Sequence, residues 1–273
     1  MNQFWPRFIR PMADAADVKS IVEIGSEYAL GTRQVANYAL EKGGVVHAID
    51  PAPSCNVEDL KKTYGEALIF HEALSLEALP KIGAFDLALI DGDHNWYTVY
   101  HELKAIAENH AGLPEEAFPM LFFHDTGWPY GRRDLYYDID TIPEAYRHPT
   151  QRAGIIPGEA ELVDGQGLNP DLLHAVHEGG ARNGVRTAID DFIEESKIAF
   201  DCLFMPMLFG FGIVIARARL EKNPGLWKMF NYWGSAEGLT EASYIAEHFR
   251  NVCNVKLQAA ERENKKLKEN RSV

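Results

Sequence analysis

Short, largely apolar runs alternate with helically periodic stretches through the first half of the chain, and this constrains its fold more than any other feature. The runs are Ile21 to Ile24, Val45 to Ile49, Ala67 to Phe70, Phe85 to Ile90 and Met120 to Phe123. Strands that do not alternate polar with apolar are covered on both faces, as in a parallel sheet. Between the first two runs, Val35, Ala36, Ala39 and Leu40 recur at helical spacing, and the pattern stops at Gly43-Gly44. Val99, Leu103 and Ile106 mark another helix between the fourth and fifth. Strand, helix, strand repeated this way predicts an α/β fold with a doubly wound, mostly parallel sheet.

The pattern then pauses. Residues 127–183 are rich in Gly, Pro, Tyr, Arg and Asp with little periodicity, and read as an insertion after the fifth strand. Val185, Ile189, Phe192 and Ile193 share a helix face. The block AFDCLFMPMLFGFGIVIARA predicts two strands joined by a turn, completing the sheet with a terminal antiparallel strand. Residues 220–273 predict a helical C-terminal extension, where Leu257, Ala260 and Leu267 hint at a seam too short for a coiled coil. Residues 1–19 are expected to form an N-terminal helical cap, and 1–273 a single domain.

The net charge of −13 argues against a nucleic-acid partner, which usually requires a basic footprint. The opening MNQFWPRFIRPM is broken by Pro6, Arg7, Arg10 and Pro11, so no signal peptide or membrane span is expected. Three widely spaced cysteines form neither a zinc pattern nor a disulfide framework, and fit buried thiols in a reducing cytoplasm.

Ligands of an open parallel sheet bind at the carboxyl ends of its strands. Here those ends carry Glu23-Ile24-Gly25, Asp50, Glu72, Asp91-Gly92-Asp93-His94 and His124-Asp125, so every strand delivers an acid to one edge. The Gly-x-Gly-x-x-Gly turn that cradles a pyrophosphate is missing. A cofactor without phosphates needs no such nest, and acids suit ribose hydroxyls and a cationic amine.

VEIGSEYALGT resembles the first motif of class I S-adenosylmethionine-dependent methyltransferases. The resemblance implies a Rossmann-like fold and an S-adenosyl-L-methionine site built from Glu23, Gly25, Ser26, Gly31, Thr32, Asp50, Leu74, Ser75 and Asp91. Asp50 in HAIDP would hold the ribose hydroxyls. Where the family has a glycine four residues after Gly25 this chain has Ala29, and Gly31 follows.

FDLALIDGDHNWYTVYHEL resembles the branch holding macrocin-type and mycinamicin sugar O-methyltransferases and cephalosporin-hydroxylase-like proteins. That resemblance implies Mg²⁺ on Asp91 and Asp125, with His94 as general base. His124 departs from the second acidic ligand of the branch. It suits a softer divalent ion as a third ligand, or serves as the base itself. The cation would acidify the hydroxyl to be methylated, and the histidine would take its proton.

DTGWPYGRRDLYYD leaves the fifth strand directly and must start at the cleft. Trp128, Tyr130, Tyr136 and Tyr137 offer flat faces to a sugar or aromatic ring, and Arg132 and Arg133 a grip on an anion. The other reading of this insertion is a lid packed on its own aromatics, with the arginines paired to Asp134 or Asp138. The expected partner is a sugar or another small molecule. The aromatic amino terminus and helical tail are candidate contacts for a homo-oligomer. Two further functions stay open: a non-catalytic cofactor-binding scaffold, and a non-haem iron oxygenase using His94, His124 and Asp91.

Overall fold

In the computed structural model, which describes residues 1–270, the predicted strands lie side by side. β1 (Ser20–Ile24), β2 (Val45–Ile49), β3 (Leu68–His71), β4 (Leu87–Ile90) and β5 (Met120–His124) run parallel. Between them stand α2 (Leu30–Lys42), α3 (Val57–Tyr64), the short α4 (Ser75–Ala78) and α5 (Trp96–Asn109), while α1 (Arg10–Ala15) precedes β1. The seven-stranded order is β3-β2-β1-β4-β5-β10-β9, with β9 (Phe200–Met205) and β10 (Phe211–Ala216) closing one edge. β10 is antiparallel to both its neighbours. This is the Rossmann-like doubly wound sheet with a terminal antiparallel strand that the sequence predicts.

Strand order reverses between β1 and β4, which opens a crevice at their carboxyl ends. Below it, Val22, Ile24, Ala88, Ile90, Leu121 and Phe123 pack with Val99, Leu103 and Ile106 of α5. α6 (Val185–Glu195) adds Val185, Ile189 and Phe192 to the same core. At the head of the β4 run the Phe85 amide donates to His110 Nε2 at 3.1 Å, outside the ladder. α5 starts where Asn95 caps it, its side chain accepting from the Thr98 amide at 2.8 Å.

The insertion has structure that its periodicity did not reveal. β6 (Leu135–Tyr136), β7 (Thr150–Arg152) and β8 (Leu173–Ala175) form an antiparallel sheet in the order β6-β8-β7. Tyr130, Leu135 and Ile155 make a small core of its own, with Trp128, Leu162 and Leu172 packed against it.

The chain divides into two compact units, Met1–Phe230 and a second that begins at Asn231. At the amino end a wide helical turn, Trp5–Ile9, leads into α1. α7 (Arg217–Lys222), α8 (Pro224–Trp233) and α9 (Ala236–Asn270) make the C-terminal part helical. The last three residues of the predicted extension, 271–273, lie outside the described residues. Leu257 and Leu267 are exposed on α9. No helix among the described residues is long and apolar enough to cross a membrane.

Candidate active site

The crevice is shaped first by a glycine. Gly25 closes β1 with φ +87°, and a Cβ there would meet the Asp91 carbonyl oxygen at 2.1 Å. Glycine alone lets the β1 loop lie against the end of β4. Ala29 stands four residues on with φ 59° and ψ 27°, the left-handed conformation a glycine would take. The backbone shape of the motif is kept although its residue is not.

Asp50 holds this loop from the end of β2. Its Oδ2 accepts from the Ser26 amide and hydroxyl and from the Glu27 amide, at 2.9, 3.0 and 2.8 Å. Its Oδ1 accepts from the Ala52 amide at 2.9 Å. Glu23 lies beneath the loop, and its Oε1 would stand 2.6 Å from a Cβ on Gly31. Burial raises Glu23 from 4.5 to about 7, against the opposing pull of the neighbouring Thr32 hydroxyl. After β3, Leu74 is partly exposed at the start of α4, while Ser75 is buried beside the Glu102 carboxyl. Desolvation pushes Glu102 up to about 8.

The ends of β4 and β5 bring four ionisable side chains together. Asp91, His124 and Asp125 each offer a ligand atom, all within 4.8 Å of one another. His124 Nδ1 is 3.0 Å from Asp91 Oδ1 and 2.9 Å from Asp125 Oδ2. Its Nε2 lies 2.7 Å from the Leu208 carbonyl oxygen, to which it donates. With that proton committed, the Nδ1 lone pair would face two carboxylates, an arrangement that calls for a proton or a metal ion between them. The donor set therefore fits a divalent cation, and its imidazole favours a softer ion than Mg²⁺.

Without a metal the proton serves. Burial opposes a charge on His124, but Asp91 and Asp125 raise it from 6.5 to about 9. Burial likewise works against ionising Asp125, yet His94 and His124 bring it down to about 2. Asp125 has φ 54°, a left-handed conformation uncommon for a residue with a side chain. The turn that presents the Leu208 carbonyl is also left-handed, at φ 51° for Leu208 and 71° for Phe209. Strain gathers on both sides of the cluster, as it does at functional sites.

His94 Nε2 stands 3.1 Å from Asp125 Oδ2, and its Nδ1 is 3.4 Å from the Tyr137 hydroxyl. Burial opposes its charge, and Asp125 and Asp91 more than compensate, raising it well above the ordinary histidine range. Its ring stacks on Tyr130 at 5.3 Å and 14°.

The insertion corrects part of the expected substrate set. Arg133 is fully buried, donating to the carbonyls of Ala175, Val176 and Ala160, so it ties the insertion together and faces no ligand. Tyr136 is buried too, its hydroxyl donating to Asp134 at 2.8 Å. Arg132 is paired with Asp190 at 2.6 Å and donates to Thr187, in place of the expected Asp134 or Asp138. Tyr130 is buried with its hydroxyl accepting from Asn169, and supports His94. Trp128 packs on the insertion's small core.

Sequence reasoning missed the amino-terminal residues. The Met1 amino group lies 2.6 Å from Asp91 Oδ2, and Gln3 Nε2 lies 3.5 Å from His124 Nε2. Burial would raise Asp91, but the Met1 amine and His124 hold it well below the usual carboxylate range. No spacing signals such a contact; the only hint was an aromatic start to the chain.

No family model and no curated protein matches the chain. Solved structures are similar to it. The S-adenosylhomocysteine-bound Podospora anserina methyltransferase is 16% identical, with 77% of each chain covered and a TM-score of 0.48. The Burkholderia thailandensis 1,6-didemethyltoxoflavin-N1-methyltransferase, with bound 1,6-didemethyltoxoflavin and S-adenosylhomocysteine, is also 16% identical. There 76% of this chain and 77% of that one are covered, with a TM-score of 0.38. Human N-acetylserotonin methyltransferase, in complex with S-adenosylmethionine, is 14% identical over 79% of this chain and 53% of its own, with a TM-score of 0.41.

Proposed function

We propose that this chain is an S-adenosylmethionine-dependent O-methyltransferase, assisted by a divalent cation and acting on a hydroxyl of a sugar, glycoside or natural-product-like small molecule. The observation that carries it is the Asp91, His124 and Asp125 cluster, lying at the switch point against a β1 loop shaped by Gly25 and held by Asp50. A cofactor placed on that loop would sit beside the cluster, so methyl donor and acidified hydroxyl would share one crevice.

Asp91, Asp125 and His124 would hold the cation, whose chemistry is to lower the pKa of a substrate hydroxyl, while S-adenosylmethionine supplies an electrophilic methyl group. The protein's own part is proton removal and positioning. His94 turns Nε2 toward Asp125, so Nδ1, which meets the exposed Tyr137 hydroxyl, is the nitrogen that would accept the substrate proton once His94 is neutral and the substrate takes the place of that hydroxyl. Asp125 then stabilises the imidazolium that forms, and the Tyr130 ring keeps it in plane. Exposed Tyr137 and partly exposed Trp128 remain candidates for stacking on the substrate. The oxygenase reading is less well supported, because the ion-holding cluster among the described residues includes one histidine.

The test is calorimetric titration of S-adenosylhomocysteine into the native chain and Asp50→Ala, each with Mn²⁺ and with EDTA. Binding to the native chain that is lost in Asp50→Ala is expected. Absence of binding by the native chain under both conditions would overturn the methyltransferase reading.

A further inference from the structure

The turn between β9 and β10 is closed by the Gly210 amide, which donates to the Met207 carbonyl at 2.9 Å. Within it Leu208, Phe209 and Gly210 are left-handed in succession, with φ of 51°, 71° and 100°. Two of the three carry side chains, so the turn is strained and something must hold it. The end of β5 does. The Phe209 carbonyl accepts from the Gly127 amide at 2.8 Å, and a Cβ on Gly210 would stand 1.9 Å from the Gly127 nitrogen. The turn is thus pressed against the chain that leaves Asp125, itself left-handed at φ 54°. From there the Leu208 carbonyl reaches His124 Nε2 at 2.7 Å, and the exposed Phe209 ring stands edge-on to the His124 ring at 6.2 Å and 78°.

That carbonyl decides which nitrogen of His124 is open to a ligand. A neutral imidazole carries one proton. Asp91 and Asp125 lie on the Nδ1 side at 3.0 and 2.9 Å, and by themselves they would draw the proton to Nδ1, where it bars a cation. An acceptor at Nε2 reverses the choice. The Gln3 amide nitrogen, 3.5 Å from Nε2, can only donate, which leaves the Leu208 carbonyl as the acceptor among the described residues. We propose that the β9–β10 turn is a positioning element for the cation site. Its left-handed run aims the Leu208 carbonyl at His124 and keeps the Nδ1 lone pair turned to Asp91 and Asp125, so Leu208 and Gly210 set metal affinity without touching the ion. The inference rests on the divalent-cation part of the proposed function. Loss of such an outer support to a metal-bound histidine weakens binding about tenfold to a hundredfold.

The experiment titrates Mn²⁺ by calorimetry into the native chain and three variants, and follows exchange of the His124 Nε2 proton with solvent by NMR in each without metal. Gly210→Ala drives a methyl group into the Gly127 amide and must move the turn. Leu208→Val puts a β-branched side chain where φ is positive, which such residues tolerate badly, at a partly exposed position. Leu208→Asn keeps the carbonyl and accepts the left-handed region. Gly210→Ala and Leu208→Val are expected to bind Mn²⁺ about tenfold or more weakly and to lose protection of the Nε2 proton, while Leu208→Asn matches the native chain in both. A turn that serves stability alone would lower the melting temperature of the first two and leave affinity and exchange as in the native chain, which overturns the proposal. Equal losses in Leu208→Asn would assign the effect to the leucine side chain and overturn it too. If Gly210→Ala does not fold, the two Leu208 variants carry the comparison. If the native chain binds no Mn²⁺, the cation reading falls by itself and proton exchange decides. Protection lost in Leu208→Val and kept in Leu208→Asn upholds the positioning of His124, and equal protection throughout overturns it.

Discussion

Ser26 gives both its backbone amide and its hydroxyl to one oxygen of Asp50, at 2.9 and 3.0 Å. With the Glu27 amide as a third donor, a single carboxylate oxygen sets the course of the loop between β1 and α2. Asp50→Ala leaves the two buried Ser26 donors and the partly buried Glu27 amide without that acceptor. The expected cost is about 2 kcal/mol or more in thermal or urea unfolding. Asp50→Asn keeps one acceptor oxygen and is expected to lose less. An unchanged melting temperature in Asp50→Ala would show that the loop holds itself.

Ala29 sits in a glycine conformation, with φ 59°. A left-handed residue with a side chain costs about 1–2 kcal/mol relative to the right-handed region, and glycine escapes that cost. Ala29→Gly is expected to stabilise the fold by about 1 kcal/mol after its larger unfolded-state entropy is counted. Chemical denaturation checks it, and destabilisation would show that the Ala29 methyl group, buried in the fold, matters more than the strain.

His124 is protonated at neutral pH, since the carboxylates around it raise it to about 9. A divalent ion taking its place between Asp91 and Asp125 must expel that proton. Mn²⁺ binding at pH 7 is therefore expected to release close to one proton from His124, read as heat that varies with the ionisation enthalpy of the buffer. Affinity is expected to rise as pH climbs toward 9. His124→Ala is expected to weaken Mn²⁺ by about a hundredfold, and an unaltered affinity would remove His124 from the ligand set.

Glu102 is buried near the base of the crevice, its pKa raised from 4.5 to about 8 by desolvation. A carboxyl raised in this way binds its proton more tightly in the folded chain than in the unfolded one. Its contribution to stability is complete below pH 4.5 and is lost as pH rises through about 8. Glu102→Gln is expected to remove this decline and to be the more stable protein above pH 8. Parallel melting curves for the two proteins across pH 5–9 would show that Glu102 finds a cation or solvent when charged.

Much of the fold was legible because parallel strands must be apolar on both faces, and the runs at β1, β2, β4 and β5 are. The acids at their ends were legible for the same reason, being the first polar residues the chain can place after each run. The insertion was not. β6, β7 and β8 are two or three residues long, too short for a period to show, and their core rests on Tyr130, Leu135 and Ile155 scattered among polar residues. Arg133 read as a ligand grip because charged side chains are rarely buried. Its two terminal nitrogens instead donate to three backbone carbonyls, those of Ala160, Ala175 and Val176. The contact of Leu208 comes from a backbone carbonyl, which every residue carries and no pattern marks.

Tyr130 belongs to two assemblies at once, the small core of the insertion and the stack on His94. The insertion, proposed to face the substrate, therefore also supplies the floor on which the proposed base rests. An insertion traded for another during evolution would take that floor with it. If His94 is the base and the insertion the substrate-side element, as proposed, a new substrate range has to arrive with a ring or an equivalent support for His94.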